Sequence, residues 1–168
     1  MFKSLFSSIK SSNSTGVTIV SPISGKAVHL EEVPDPAFSQ KLVGEGIAII
    51  PEEGKVVSPI NGEVALIFPT KHAVGLVSEE GIEILIHIGI DTVSMEGEGF
   101  KTHVKQGDKV KVGDLLIEFS LDLVKEKATS TTTPIVITNF DRINHLELAP
   151  FESVKIKEST IMKIDIKP

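Results

Sequence analysis

Alternating hydrophobic and polar positions recur along the chain, most clearly in the segment GIEILIHIGIDTV at residues 81–93. Isoleucine occupies every second position from 82 to 90. Because successive side chains of a β-strand point to opposite faces, this pattern predicts a strand whose five isoleucines share one face. His87 falls in the other register, with Leu85 and Gly89, and is therefore expected on the face that the isoleucines avoid.

Shorter β-branched runs, separated by glycine, proline and asparagine, predict further strands, and one stretch favours a helix. The helix candidate is LDLVKEKA at 121–128, roughly two turns long, with Asp122 near its start. The predicted class is therefore all-β, an antiparallel β-sandwich or flattened barrel. The strand candidates are VTIV at 17–20, GIAII at 46–50, KVVSPI at 55–60, GEVALIF at 62–68, DLLIEF at 114–119 and TPIVIT at 133–138.

The sequence also contains an internal repeat. IVSPISGKAV at 19–28 matches VVSPINGEVA at 56–65 in a common V-S-P-I-x-G core. Both copies predict the same strand–turn–strand unit, in which the proline starts the turn and the glycine accepts a positive φ. Two copies are too few for a solenoid, so we expect a duplicated motif within one β domain.

The N-terminal residues have a different pattern. Apolar side chains recur at helical spacing within residues 1–10, and SSNSTG at 11–16 is typical of a linker. We predict a flexible tail over 1–16, with a short amphipathic helix as the alternative, followed by a single domain over 17–168. Weak contact of residues 1–10 with a membrane is a side hypothesis.

Composition narrows the functional classes. The chain has 168 residues, no cysteine and a net charge of −6. These values suit one domain without disulfides or thiol catalysis, and they argue against nucleic-acid binding. No apolar run approaches the roughly 20 residues that cross a bilayer, and the first residues lack the features of a signal peptide. A cytoplasmic protein is expected.

Two of the five histidines can be related by strand pairing. A tight turn centred on Glu79 and Glu80 would pair residues whose numbers sum to 159, which places His72 opposite His87 with Cβ atoms about 5 Å apart. Two imidazoles this close can share one guest, either a metal ion or a phosphoryl group. A neutral imidazole nitrogen attacks phosphorus, while a second can stabilise the phosphate charge. An ordinary cross-strand pair is the alternative.

Neighbouring groups can orient the two rings. Thr70 lies two residues before His72, and the carbonyl of Gly89 lies two residues after His87. Each is a candidate hydrogen-bond partner that would decide which ring nitrogen is free to react. The carboxylates of Asp35 and Asp91 are candidates for the rim of the site, although Asp91 suits a turn equally well. The other three histidines lack such a context and are interpreted as structural or incidental: His29, His103 and His145.

The segment at 81–93 resembles the phosphorylation-site signature of the glucose-type enzyme IIA proteins of the bacterial phosphoenolpyruvate-dependent sugar phosphotransferase system. Other segments resemble this family in the same order, and the resemblance extends from Thr18 to the C-terminus. It implies a β-sandwich that carries a phosphoryl group from the protein HPr to the EIIB domain of a sugar permease. The other segments are VPDPAFSQKLVGEGIAI at 33–49, VVSPINGEV at 56–64, TKHAVG at 70–75, GEGFKTHVKQGDKVKVGDLLIEF at 97–119 and TPIVITNFD at 133–141.

The resemblance also implies roles for individual residues. His87 matches the phosphorylated nucleophile, His72 its phosphate-stabilising partner, and Thr70 the residue that orients the partner ring. The remaining matches surround the site: the Gly89 carbonyl, the carboxylates of Asp35 and Asp91, the apolar patch residues Phe38 and Phe68, and Leu85, which stands where some relatives carry phenylalanine.

The resemblance implies that no cofactor is required. Zinc is expected only at a partner interface, where a partner's carboxylate would join His72 and His87, and the sequence does not name the sugar.

A biotinyl or lipoyl carrier is a rival because IMKI at 161–164 imitates a biotinylation motif, but Lys163 lies near the chain end. A zinc peptidase would need a third protein ligand and a general base, and the sequence contains no H-x-H or H-E-x-x-H motif. A regulator whose binding to permeases or metabolic enzymes is switched by phosphorylation is a further hypothesis. A monomer is expected.

Overall fold

The computed structural model describes residues 15–168. The predicted tail lies outside the described residues except for its last two, which open the first strand. Within this range the α-helices are α1 (Pro36–Ser39) and α2 (Leu121–Lys127). The strands are β1 (Thr15–Val20), β2 (Gly25–His29), β3 (Glu45–Pro51), β4 (Lys55–Val57), β5 (Gly62–Ile67), β6 (Ala73–Ser78), β7 (Glu83–His87), β8 (Phe100–Thr102), β9 (Lys109–Val110), β10 (Leu115–Phe119), β11 (Thr133–Ile137), β12 (Ile143–Leu148), β13 (Ser153–Val154) and β14 (Thr160–Ile166).

The strands form three antiparallel sheets around a common core. The largest sheet has the order β13-β2-β3-β11-β7-β6-β5-β9, and two three-stranded sheets have the orders β1-β14-β12 and β4-β10-β8. Buried side chains from all three sheets meet in one large hydrophobic cluster. The all-β prediction is confirmed as a sandwich of open sheets and not a closed barrel. The predicted helix is α2, whose first turn is capped by the Ser120 hydroxyl, which accepts from the Leu123 N–H at 3.2 Å.

The isoleucine pattern of β7 continues beyond the strand, with one exception. Ile82, Ile84, Ile86 and Ile88 lie in the large cluster and are at most 1% exposed. The expectation that a fifth isoleucine shares their face is wrong. The backbone at Gly89 has a φ of +70°, which breaks the strand alternation. Ile90 therefore enters a second, smaller cluster on the histidine side of the sheet, formed by Val28, Leu30, Val33, Phe38, Ala48, Ile90 and Val136.

The internal repeat is a pair of equivalent turns that bind each other. The Val20 N–H donates to the Pro59 carbonyl at 3.3 Å, and the Val57 N–H donates to the Pro22 carbonyl at 2.9 Å. The predicted reason for the glycine of each copy is wrong, because neither glycine has a positive φ. Glycine is needed there because a Cβ would lie 2.0 Å from a carbonyl oxygen of the neighbouring strand, Ile50 for Gly25 and Val77 for Gly62.

Candidate functional site

The candidate histidines lie beside two adjacent strand ends: His72 comes just before β6, and His87 is the last residue of β7. The observed register pairs Ala73 with His87 and Val77 with Glu83, so paired residue numbers sum to 160. The sequence-based register is therefore wrong by one residue. The Ser78 N–H donates to the Ile82 carbonyl at 2.9 Å, so Ser78 and Ile82 close the loop. Three residues, 79–81, lie between this hydrogen-bonded pair.

The two imidazoles nevertheless meet, because His72 stands just outside the regular strand. It follows Lys71, whose left-handed backbone has a φ of +63°. A turn holds this segment, in which the Phe68 N–H donates to the Ala73 carbonyl at 3.1 Å. The ring centroids of His72 and His87 are 4.8 Å apart and the ring planes are inclined by 80°. Edge-to-face contact therefore results from the turn and not from the predicted strand register.

A backbone carbonyl decides the tautomer of His87. Its Nδ1 lies 2.8 Å from the carbonyl oxygen of Gly89. A carbonyl can only accept a hydrogen bond, so Nδ1 must carry the proton. In the neutral ring the lone pair then lies on Nε2. The half-buried His87 consequently presents Nε2 as its nucleophilic atom.

A side-chain hydroxyl holds the partner ring. The Thr70 Oγ1 lies 2.7 Å from Nδ1 of His72. Unlike a carbonyl, a hydroxyl can either donate to this nitrogen or accept from it, so both neutral tautomers are compatible with the contact. His72 is also more deeply placed than His87, with 1% of its surface exposed.

Aromatic side chains flank both rings. Phe38 lies 5.0 Å from His87 between centroids, and Phe68 lies 5.4 Å from His72. Phe38 is placed by α1, whose first turn is capped by the Asp35 carboxylate accepting from the Ala37 N–H at 2.9 Å. Leu85 is partly buried and packs against the smaller cluster that includes Phe38. Phe38 and Phe68 therefore contact the histidines directly, and Leu85 packs against the cluster that contains Phe38.

Burial keeps both histidines neutral. It lowers the pKa of His72 to about 4, and the neighbouring His87 adds to this effect. Burial also lowers the pKa of His87, although the Gly89 carbonyl and the carboxylates of Asp35 and Asp91 oppose that change. At neutral pH the site therefore offers an unprotonated nitrogen on each ring.

A family model for the phosphoenolpyruvate-dependent sugar phosphotransferase system, EIIA 1, matches residues 17–143. The chain belongs to this EIIA family. The match includes both histidines, both of their hydrogen-bond partners and both flanking phenylalanines. The antiparallel sheets and the paired imidazoles are thus consistent with the family assignment.

Similarity to individual EIIA proteins extends over nearly the whole chain. The PTS system glucose-specific EIIA component of Oceanobacillus iheyensis is 50% identical over 164 residues, covering 98% of this chain and 99% of that protein. The component of the same name from Staphylococcus epidermidis is 44% identical, with 99% of each chain covered. The glucose permease IIA structure from Mycoplasma capricolum has a TM-score of 0.84 and 36% identity, covering 89% of this chain and 96% of that one.

Sequence reasoning missed a group of hydroxyls beside His87. The carboxylate of Asp91, a residue with a left-handed backbone, accepts a hydrogen bond from the Thr129 hydroxyl. Thr133 and Thr92 both contact the peptide group between Ile88 and Gly89, at its N–H and its carbonyl respectively. The signal in the sequence was the run STTTP at 130–134, of which only the last two residues entered a predicted strand. Thr129 and Thr133 are about 40 residues from His87 along the chain, so only the folded structure shows that their hydroxyls lie near it.

The remaining candidates lie away from this EIIA site. His29 stacks on Phe151 with centroids 3.7 Å apart, and Nε2 of His103 pairs with Glu118 at 2.7 Å. Lys163 lies within β14 opposite Thr18, and not at a hairpin tip as a biotinyl carrier requires. Across residues 15–168, no three or more histidine, cysteine, aspartate and glutamate side chains are grouped so as to bind a metal ion. The same residues include no helix with the length and hydropathy of a membrane span.

Proposed function

We propose that this chain is a phosphoryl carrier that accepts a phosphoryl group from phosphorylated HPr on Nε2 of His87 and passes it to an EIIB domain. The observation that carries the proposal is the contact between Nδ1 of His87 and the Gly89 carbonyl. This contact leaves Nε2 with the lone pair, beside a second imidazole whose centroid is 4.8 Å away. Family membership supports the same relay.

The bonds formed and broken in the proposed transfer involve only the two histidines and the phosphoryl group, so the step requires neither a metal nor a cofactor. The lone pair on Nε2 of His87 forms the new N–P bond, while the N–P bond to the donor histidine of HPr breaks and its electron pair returns to that ring. Nδ1 keeps its proton throughout, bonded to the Gly89 carbonyl. In the second transfer, a nucleophile of EIIB attacks the phosphorus and the electron pair returns to Nε2.

We assign the stabilisation of the phosphoryl oxygens to His72. Donation from its Nε2 requires a proton there, so the Thr70 hydroxyl must donate to Nδ1, an arrangement that their 2.7 Å contact permits. A hydrogen-bond donor placed before the reaction stabilises the growing charge without reorganisation. Phe38 and Phe68 flank the two rings and would exclude water from a hydrolysable N–P bond.

We propose that HPr and EIIB dock in turn on the surface around His87. Exposed apolar side chains follow the segments that carry Phe38 and Asp91: Leu42 is 73% exposed and Val93 is 55% exposed. The negative net charge and the carboxylates near His87 suit basic partner surfaces. Regulatory binding of other proteins, and zinc held jointly with a partner's carboxylate, stay predictions.

We further propose glucose as the sugar that the relay serves. The support is the name that the two full-length relatives described above share, which is glucose-specific EIIA component. The test is to supply the phosphorylated chain to the EIIB domains of a glucose permease and of an N-acetylglucosamine permease. Transfer at least as fast to the second domain would contradict the assignment.

The carrier proposal is tested by incubating the full chain with phosphoenolpyruvate, enzyme I and HPr, then locating acid-labile phosphate by mass spectrometry. We expect one phosphoryl group on His87 and none in His87→Ala. His145→Ala is the matched control because His145 is exposed on β12. Phosphate on another residue, or none with active partners, would contradict the proposal.

A further inference from the structure

Two buried threonine hydroxyls hold one peptide group next to His87. This peptide joins Ile88 to Gly89. At one end the Thr92 hydroxyl donates to the Ile88 carbonyl at 2.6 Å, and at the other end the Gly89 N–H donates to the Thr133 Oγ1 at 3.3 Å. Both threonines are 0% exposed. The peptide is therefore bound at its carbonyl and at its N–H by side chains that water does not reach.

The next peptide carries the carbonyl that contacts His87. The Gly89 oxygen accepts from Nδ1 of His87 at 2.8 Å, and the Ile90 N–H donates to the Ser130 carbonyl at 2.9 Å. Rotation of either peptide would turn the Gly89 carbonyl away from the imidazole. The direction of this carbonyl therefore depends on the groups that bind the peptide before it.

Packing around Gly89 adds to this restraint. Its φ is +70°, and an added Cβ would lie 2.7 Å from the Cγ2 of Thr92 and 2.9 Å from the Ser130 carbonyl oxygen. The Thr133 hydroxyl donates in turn to the Thr131 carbonyl at 3.0 Å. Its proton is thus engaged, and a lone pair is left to accept from the Gly89 N–H.

We propose that Thr92 and Thr133 are positioning residues for phosphoryl transfer. By fixing the peptide between Ile88 and Gly89 they hold the Gly89 carbonyl on Nδ1 of His87. That contact keeps the proton on Nδ1 and leaves Nε2 as the reacting atom. The inference rests on the proposed function of His87 as phosphoryl acceptor, and it gives this function two further determinants outside the ring contacts.

The test compares Thr92→Val and Thr133→Val, which keep the side-chain shape and remove the hydroxyl, with Thr92→Ser and Thr133→Ser, which keep it. Thr138→Val is the control, since the Thr138 hydroxyl contacts Glu83 and not the peptides after His87. The first readout is the tautomer of His87 in the unphosphorylated protein, taken from ¹⁵N chemical shifts of its imidazole. The second is the rate of phosphoryl acceptance from HPr.

We expect the proton on Nδ1 in the wild type, the serine variants and the control. The valine variants should populate both tautomers and accept phosphate about tenfold more slowly, as when the outer hydrogen-bond partner of an oriented histidine is removed. Folded valine variants with the wild-type tautomer and rate would overturn the inference. Serine variants as impaired as the valine variants would also overturn it, because packing of the methyl group would then explain the effect.

A wild-type measurement decides the matter if the valine variants do not fold. The Thr92 hydroxyl proton should exchange slowly enough to be resolved by NMR, and exchange as fast as that of the exposed Thr138 would overturn the inference. The tautomer readout needs no partner protein. A chain that HPr does not phosphorylate would therefore contradict the proposed function, while the tautomer populations would still decide whether the threonines position His87.

Discussion

The segments that hold the two histidines use the same spacing for different purposes. In each, Nδ1 contacts a group two residues away: the Thr70 hydroxyl for His72 and the Gly89 carbonyl for His87. The carbonyl allows one tautomer only, whereas the hydroxyl allows two. The ring with the fixed tautomer is half-buried, and the ring with the adjustable tautomer is buried. We therefore expect His87 to act as a nucleophile with a preset tautomer and His72 to adapt its proton to the phosphoryl group.

The largest expected effect comes from removing the adaptable ring. His72→Gln should still accept phosphate from HPr, because His87 supplies the nucleophile, but onward transfer to EIIB should fall by about 10²–10³-fold, the size typical of a lost charge-stabilising donor. Single-turnover transfer in both directions measures the two steps. Onward transfer at the wild-type rate would show that the rings do not divide the work. His145→Gln is the control.

Stability at low pH should report the burial of His72. Its folded pKa of about 4 lies below the 6.5 of an exposed imidazole, so the unfolded chain binds the proton at a higher pH than the folded chain does. The stability that comes from keeping His72 neutral is fully present above pH 6.5. As pH falls towards 4, the free energy of unfolding should therefore decrease by about 3 kcal/mol. Urea unfolding between pH 4 and 7 measures it. His72→Gln should lose this part of the slope, and an unchanged slope would contradict the assignment.

The fixed carbonyl can be disturbed through its own residue. Gly89→Ala should cost about 2 kcal/mol of unfolding free energy, because it combines a left-handed backbone with the close contacts to Thr92 and Ser130. Gly107→Ala is the matched control, since Gly107 has a φ of +94° and nothing within 4 Å of an added Cβ. Equal losses in the two variants would show that backbone strain alone explains the glycine.

The smallest effect should follow from changing the orienting hydroxyl. Thr70→Val should slow onward transfer about tenfold and leave acceptance from HPr near the wild-type rate, because the hydroxyl acts on His72 and not on His87. Thr70→Ser should restore transfer. The same transfer assays measure both steps. A valine variant that slowed acceptance as much as onward transfer would remove the distinction between the two segments.

Much of the fold could be predicted from the sequence because its signals are local. Every strand candidate in the β-branched runs overlaps an observed strand, and the helix candidate is α2. Strands β12 and β14, which pair near the C-terminus, were not among the strand candidates, although β14 alternates between buried and more exposed positions from Met162 to Ile166. The role of the repeated glycines was mistaken because the nearby carbonyls of Ile50 and Val77 belong to other strands.

The sequence by itself determined the hydrogen-bond partners of the two rings. Histidines with a threonine and a glycine two residues away define two oriented rings over a few bonds, where chain connectivity limits the geometry. The tertiary structure decided the loop of three residues that shifts the strand register, the depth of His72, and the approach of Thr133 to a backbone 44 positions away along the chain. The depth of His72 and the approach of Thr133 depend on packing between distant segments, so no local pattern specifies them.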